Sequence, residues 1–134
     1  MSEHVAVLFA NDAFYLAFAE SDVEAMEDLW ARVLPVTCVH PGWNALSGRD
    51  EVIESWHAIM AGGESPNIQC SNAEAHVHGD VAYVVCHETL DQGFLIATNI
   101  FMREDDTWKI VHHQAGPAPE PSADEEPEAP ATMQ

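Results

Sequence analysis

The spacing of apolar residues in this chain changes once, near its middle, from the period of helices to the period of strands. In the first half, Val7, Ala10, Phe14, Ala17 and Phe18 recur at helical spacing and predict a helix over 5–19 with one face turned to a core. Ser21 and Glu24 form a capping-box pair before a second helix. Its Val23, Met26, Leu29, Trp30 and Val33 share a face until Pro35 ends it. Residues 36–39, VTCV, are a short β-type run before a Pro-Gly turn. Ser47 with Asp50 then opens a third helix, striped by Val52, Trp56, Ile59 and Met60 and stopped at Gly62-Gly63.

Beyond that point β-branched and aromatic residues predict strands over 68–78, 81–90, 93–103 and 107–115, separated by HGDV, LDQG and REDDT at hairpin spacing. Helices followed by an antiparallel meander make an α+β domain. The arrangement expected is a curved sheet of four long strands and one short one, with three helices against its concave face and an apolar cavity between the layers.

At 134 residues and 47% apolar, the chain has material for one domain with a real core. Its formal net charge is −19, with only Arg32, Arg49, Arg103 and Lys109 on the basic side. A nucleic-acid backbone or an anionic membrane would be repelled, so neither is an expected partner. No apolar run approaches the roughly 18 residues of a spanning helix, and the N-terminus has no positive leader region. Cys38, Cys70 and Cys86 are far apart in sequence and read as reduced, buried thiols, which with the missing leader predicts a cytoplasmic protein. The stretch 117–134, PAPEPSADEEPEAPATMQ, has five prolines and five acids and should be a disordered tail on a domain over 1–116.

The order of elements and three local strings resemble the nuclear transport factor two-like superfamily, also called SnoaL-like or ketosteroid isomerase-like. The strings are FYLAFAESDVEAMEDLW, CVHPGWNALSGRDEVIESW and NIFMREDDTWKIVHHQAGP. The resemblance implies a cone-shaped α+β barrel, a homodimer packed through the sheet, and a pocket at the wide end. The fold hosts isomerases, cyclases, dehydratase-like enzymes and non-catalytic modules, so it implies less about activity.

The same resemblance places His40-Pro41 where ketosteroid isomerases keep a catalytic Asp-Pro. An imidazole, with an ordinary pKa of about 6.5, can serve as the base in such chemistry, so His40 is the first candidate. The isomerase's first-helix tyrosine falls on Phe14, which has no hydroxyl, while Tyr15 lies roughly 100° further round the helix. Its protonated aspartate falls on Asn99, whose amide can still donate. Losing one oxyanion donor costs roughly 10²–10³ in rate, which argues against steroid isomerisation itself.

Alternation along the last strand puts Trp108, Ile110, His112 and Gln114 on one face and Lys109, Val111 and His113 on the other. His112 follows the apolar face and is the expected inward histidine. His87 and Glu88 point opposite ways, and one of them is inside. Trp43, Trp56, Phe14, Phe18 and Phe101 are the candidate walls; Phe18 and Trp56 read as plain core, and Trp43 as a rim residue after the Pro-Gly turn. Arg49 is expected in the first turn of the third helix, paired with a carboxylate. The histidines show no metal-ligand spacing, and no phosphate or dinucleotide motif is present, so no metal or cofactor is implied.

Two readings follow. In one, the chain is a pocket protein for an apolar, carbonyl-bearing small molecule, with His40 as base, Asn99 and His112 as polar partners, and Phe14, Tyr15, Trp43, Trp56 and Phe101 around the substrate. In the other it is a non-catalytic dimerisation or ligand-binding module. An apolar cavity of a few hundred Å³ reaching solvent at His40 would favour the first.

Overall fold

A computed structural model of the chain describes residues 2–62 and 67–121. Helices α1 (Glu3–Ala19) and α2 (Val23–Leu29) precede the short strands β1 (Thr37–Val39) and β2 (Leu46–Ser47). Helix α3 (Arg49–Met60) leads into the long strands β3 (Gln69–His78), β4 (Val81–Leu90), β5 (Gly93–Glu104) and β6 (Thr107–Pro117). The six strands form one sheet in the order β2-β1-β6-β5-β4-β3, antiparallel except where β1 runs parallel to β6. The two edge strands do not pair with one another, so the cone is a strongly curled open sheet with three helices packed on it. Most of the expected tail, residues 122–134, lies outside the described residues, as does Gly63.

The core is the meeting of helix stripes with the inward rows of the sheet. Val7, Phe14 and Ala17 of α1, and Val52, Trp56 and Met60 of α3, face Ala82, Val84 and Cys86 of β4, Ala97 and Phe101 of β5, and Ile110 of β6. Apolar burial at roughly 25 cal/mol per Å² makes this the main favourable contribution to folding.

Several local details depart from the expectations. The second helix is capped by Asp22, whose side chain accepts from the Ala25 N–H at 3.2 Å, because Ser21 takes a left-handed backbone (φ 53°) as the chain turns out of α1. The helix stops at Leu29 rather than Val33, and Trp30 is already extended, bridging to Ile110. Two side chains account for this early stop. Arg49 donates to the carbonyls of Trp30 (2.9 Å), Ala31 (3.2 Å) and Glu27 (2.9 Å), supplying the partners a helix end lacks. The Glu104 carboxylate accepts from the N–H groups of Arg32 (2.8 Å), Val33 (2.7 Å) and Leu34 (2.9 Å) and holds them in a loop. The expected carboxylate partner of Arg49 is thus replaced by backbone oxygens. At the start of α3 the cap is Gly48 at φ 96°, a conformation other residues rarely adopt, and the Ser47 N–H donates to Glu51. The two-residue strand β2 was not expected.

The departure with the largest effect is in β6. Ile100 of β5 pairs with His112, but the next residue, Phe101, pairs with Ile110, so Val111 is an extra residue opposite no partner. This bulge reverses the alternation. Trp108 and Ile110 face inward before it, and Val111, His113 and Ala115 are buried after it.

Candidate functional site

The site follows from strand parity. On β1 the buried Cys38 fixes the inward face, so His40, two residues on, also points in. On β6 the bulge turns His113 inward, and His113 sits directly beside Cys38 on one side and Asn99 on the other. On β4 the row Ala82, Val84, Cys86 continues to Glu88, which is 4% exposed. These side chains meet under α1 and α3 at a cavity of about 300 Å³. Phe14, Phe18, Trp56, Ile59, Ile68 and Leu95 supply apolar walls, His40, Glu88, Gln92 and His113 polar ones, and Trp43, 46% exposed, stands at the rim. Among the described residues no lysine or arginine lines it.

Hydrogen bonds set the proton positions. The Ser55 hydroxyl donates to the Val52 carbonyl at 2.7 Å, so its oxygen is left to accept from His40 Nε2–H at 2.9 Å. Burial pushes the His40 pKa down to about 4, so the ring is neutral at pH 7 and its Nδ1 carries a lone pair. The Cys38 thiol lies 4.0 Å from Nδ1. The ring is held edge-on by Trp56 and Trp43, each with its centroid 4.7 Å away.

His113 is bound in the opposite sense. Its Nδ1–H donates to Asn99 Oδ1 at 2.5 Å, leaving Nε2 bare. Burial first, and then the neighbouring His40 and His112, press its pKa down to about 3. Asn99 is the hub: its amide donates to Asn11 Oδ1 (2.9 Å) and to the Tyr15 hydroxyl (3.2 Å), and Tyr15 donates to Glu88 Oε2 at 2.5 Å. Burial raises the Glu88 pKa, opposed by the Tyr15 hydrogen bond.

The sequence-predicted residues divide accordingly. His40, Phe14, Trp43 and Trp56 line the cavity together. Tyr15 and Asn99 are buried one layer behind it, and Phe101 is fully buried core away from the lining. His112 is a correction: the bulge turns it outward, where its Nδ1 meets the Thr37 hydroxyl at 2.6 Å, and His113 takes the inward place. Glu88, not His87, is the inward member of its pair. Asn11 and Ser55 were missed; Asn11 had a signal, as a lone amide on the buried stripe of α1. Among the described residues no group of three His, Cys, Asp or Glu side chains could hold a metal ion, and no helix is long and apolar enough to cross a membrane.

Residues 7–119 match the family model of the SnoaL-like domain. A proposed dehydratase of the NTF2-like family from Streptomyces avermitilis is 36% identical, with a TM-score of 0.81 over 88% of this chain and 97% of its own. A proposed calcium/calmodulin-dependent protein kinase type II association domain from Thiobacillus denitrificans is 30% identical, with a TM-score of 0.73 over 81% of this chain and 92% of its own. The F-box protein SKIP8 of Arabidopsis thaliana is 27% identical over 112 residues, 82% of this chain and 48% of that protein. The chain thus spans about half the length of that curated relative.

Proposed function

Because the chain belongs to the SnoaL-like domain family, we propose that its cavity binds a neutral, apolar small molecule carrying a carbonyl and that His40 moves a proton on it. The observation that carries this reading is the pair of neutral imidazoles on one cavity, His40 and His113, with ring centroids 6.4 Å apart. Each has its N–H tied to the protein; the other nitrogen of His40 meets the Cys38 thiol at 4.0 Å, and among the described residues that of His113 has no hydrogen-bond partner. A base must be deprotonated and within reach of the proton it takes, and His40 Nδ1 meets the first condition at neutral pH. The absence of a cation among the described lining residues favours an uncharged ligand, since a carboxylate or phosphate would be desolvated without a partner. The volume of about 300 Å³ is at the small end of the ~300–1,000 Å³ range of such sites. Reaction types consistent with it are isomerisation, cyclisation and dehydration, the last being the activity proposed for the Streptomyces avermitilis relative.

The test is mass spectrometry of small molecules retained by the purified protein, with His40→Ala beside it. A retained neutral carbonyl compound, lost or unprocessed in a folded His40→Ala protein, is the expected result. An equally loaded and equally active variant would remove His40 from the reaction.

A second reading concerns assembly, and the outer sheet face favours it. Tyr83 and Val85 of β4 with Ile96, Ile100 and Met102 of β5 alternate outward and are not fully buried within the chain. We infer a homodimer packed through this face, a use in keeping with the association domain among the relatives. Light scattering at micromolar concentration should give twice the 14.7 kDa chain mass; a monomer would overturn it. The three free thiols accord with a reducing, cytoplasmic setting.

A further inference from the structure

We propose that Cys70 and Cys86 are a redox pair that a hydroperoxide converts to an intrachain disulfide, clamping the edge strand β3 to β4 behind the cavity wall. Neither thiol is among the described lining residues, so this oxidation is independent of the proton chemistry ascribed to His40.

Strand pairing brings the two sulfurs together. Cys70 of β3 stands opposite the buried Glu88 of β4 on the inward face, and Cys86 is the next inward residue of β4. Between Ser71, paired with His87, and Glu74, paired with Val85, β3 holds two residues, Asn72 and Ala73, where β4 has only Cys86. Asn72 takes a left-handed backbone (φ 55°), which asparagine tolerates, and the bulge leaves Cys86 with no paired residue across the ladder. Its sulfur meets the Cys70 thiol instead, and the two are hydrogen-bonded to one another. Asn11 and Tyr15, one turn apart on α1, lie over the pair. Asn11 Nδ2–H donates to Cys70 Sγ at 3.7 Å, and the Tyr15 hydroxyl touches Cys86 Sγ at 3.3 Å.

The three cysteines differ in what they can do. Cys38 is fully buried on β1, with β6 and β5 between it and β4 in the sheet, and burial pushes its pKa up to about 12. A thiol in that setting is inert. Cys70 is only half-buried and sits on a strand with one neighbour, where a molecule as small as hydrogen peroxide can meet it. The hydrogen bond from Cys70 draws the Cys86 pKa down and raises that of Cys70, so the first negative charge on the pair belongs to Cys86. A disulfide needs Cβ atoms roughly 3.5–4.5 Å apart. Any closing movement falls on β3, whose ladder is irregular at this point.

The oxidant is hydrogen peroxide or another small hydroperoxide. Cys70 passes its proton along the hydrogen bond to Cys86 and attacks one peroxide oxygen; the O–O bond breaks, hydroxide leaves and Cys70 becomes a sulfenic acid. The hydroxide takes the proton from Cys86 and becomes water. The Cys86 thiolate then attacks the Cys70 sulfur, forming the S–S bond as the S–O bond breaks and a second hydroxide leaves, which is protonated to water. Two thiols and one peroxide thus give one disulfide and two waters, with both sulfurs oxidised and both peroxide oxygens reduced. A dithiol reductant reverses the change. The bond would sit next to Tyr15 and Glu88, so the cavity wall would have a reduced form and a clamped, oxidised one.

The test treats the reduced full chain with hydrogen peroxide, alkylates the remaining thiols with N-ethylmaleimide after denaturation, and maps the product by mass spectrometry. The chain should lose two hydrogens, about 2 Da, as Cys70 joins Cys86, while Cys38 is still alkylated; dithiothreitol should restore the mass. The same dose in urea, where strand pairing is gone, should give no preference among the three thiols. Amide hydrogen exchange over residues 70–73 should slow in the oxidised protein, because the bond holds the edge strand in place. Cys70→Ser should form no disulfide under the same dose; the map of the unaltered chain needs no substitution and decides the matter if that variant does not fold. A bond that includes Cys38, oxygen added to single sulfurs without pairing, no reaction, the urea mixture in the folded protein, or unchanged amide exchange on oxidation would each overturn the proposal.

Discussion

His112 and His113 are neighbours in sequence with opposite situations. His113 is 3% exposed, neutral, and bonded inward to Asn99; His112 is half-buried on the outer face and bonded to Thr37. The difference is not in the histidines but in Val111, the unpaired residue that reverses strand parity just before them. A single inserted position therefore chooses which imidazole reaches the cavity.

The most severe way to break this contrast is to reverse its parity. Inserting one alanine between Val111 and His112 should shift the register by one, turn His112 and Gln114 inward and push His113 and Ala115 out. Urea unfolding should show a loss above about 4 kcal/mol, the class reserved for disrupted cores; a loss below 1 kcal/mol would mean that the bulge does not set the register.

Acid provides the next largest effect. An unfolded histidine titrates near 6.5, whereas buried His113 titrates at about 3. Above pH 6.5 both states are neutral and the group contributes no pH dependence. As pH falls below 6.5 the unfolded chain takes up a proton that the folded one refuses, and stability declines until about pH 3. At pH 4 the loss from His113 is on the order of 3 kcal/mol. His40, also depressed, acts with the same sign, and Glu88, whose folded pKa is raised, opposes them. Unfolding followed from pH 7 to 4 should steepen accordingly, and His113→Gln should flatten that slope. An unchanged slope would remove His113 from the acid response.

Truncation sharpens it at smaller scale. His113→Ala leaves Asn99 Oδ1 without its buried donor and should cost about 2 kcal/mol in chemical denaturation. His112→Ala removes one hydrogen bond at a half-buried position and should cost ~1 kcal/mol or less. The reverse order would place the structural histidine on the wrong face.

The fold was legible because each element repeats its signal. The third-helix stripe of Val52, Trp56 and Met60 is buried as its spacing predicts, and the four long strands lie within two residues of the expected bounds. The candidate site was legible only where parity had an anchor. His40 stands two residues from an apolar Cys38 and before a proline, so its direction could be read. Glu88 could not be separated from His87, because Val81, Tyr83 and Val85 are as apolar as Ala82, Val84 and Cys86. The doublet Ile110-Val111 was the trace of the bulge, yet two adjacent apolar residues are equally compatible with a regular strand. Caps failed for a different reason: Ser21 and Ser47 had the right chemistry, but tertiary turns gave the task to Asp22 and the position to Gly48.

The rim tryptophan has an optical consequence. Trp30 and Trp56 are almost fully enclosed and Trp108 is 7% exposed, whereas Trp43 is 46% exposed and lies against His40. Its indole therefore reports a wetter environment than the other three. A molecule settling into the cavity would displace water from that ring before touching the others, so steady-state emission in a Trp43→Phe difference experiment becomes a label-free gauge of occupancy. The protein carries its own binding assay at the mouth of the site.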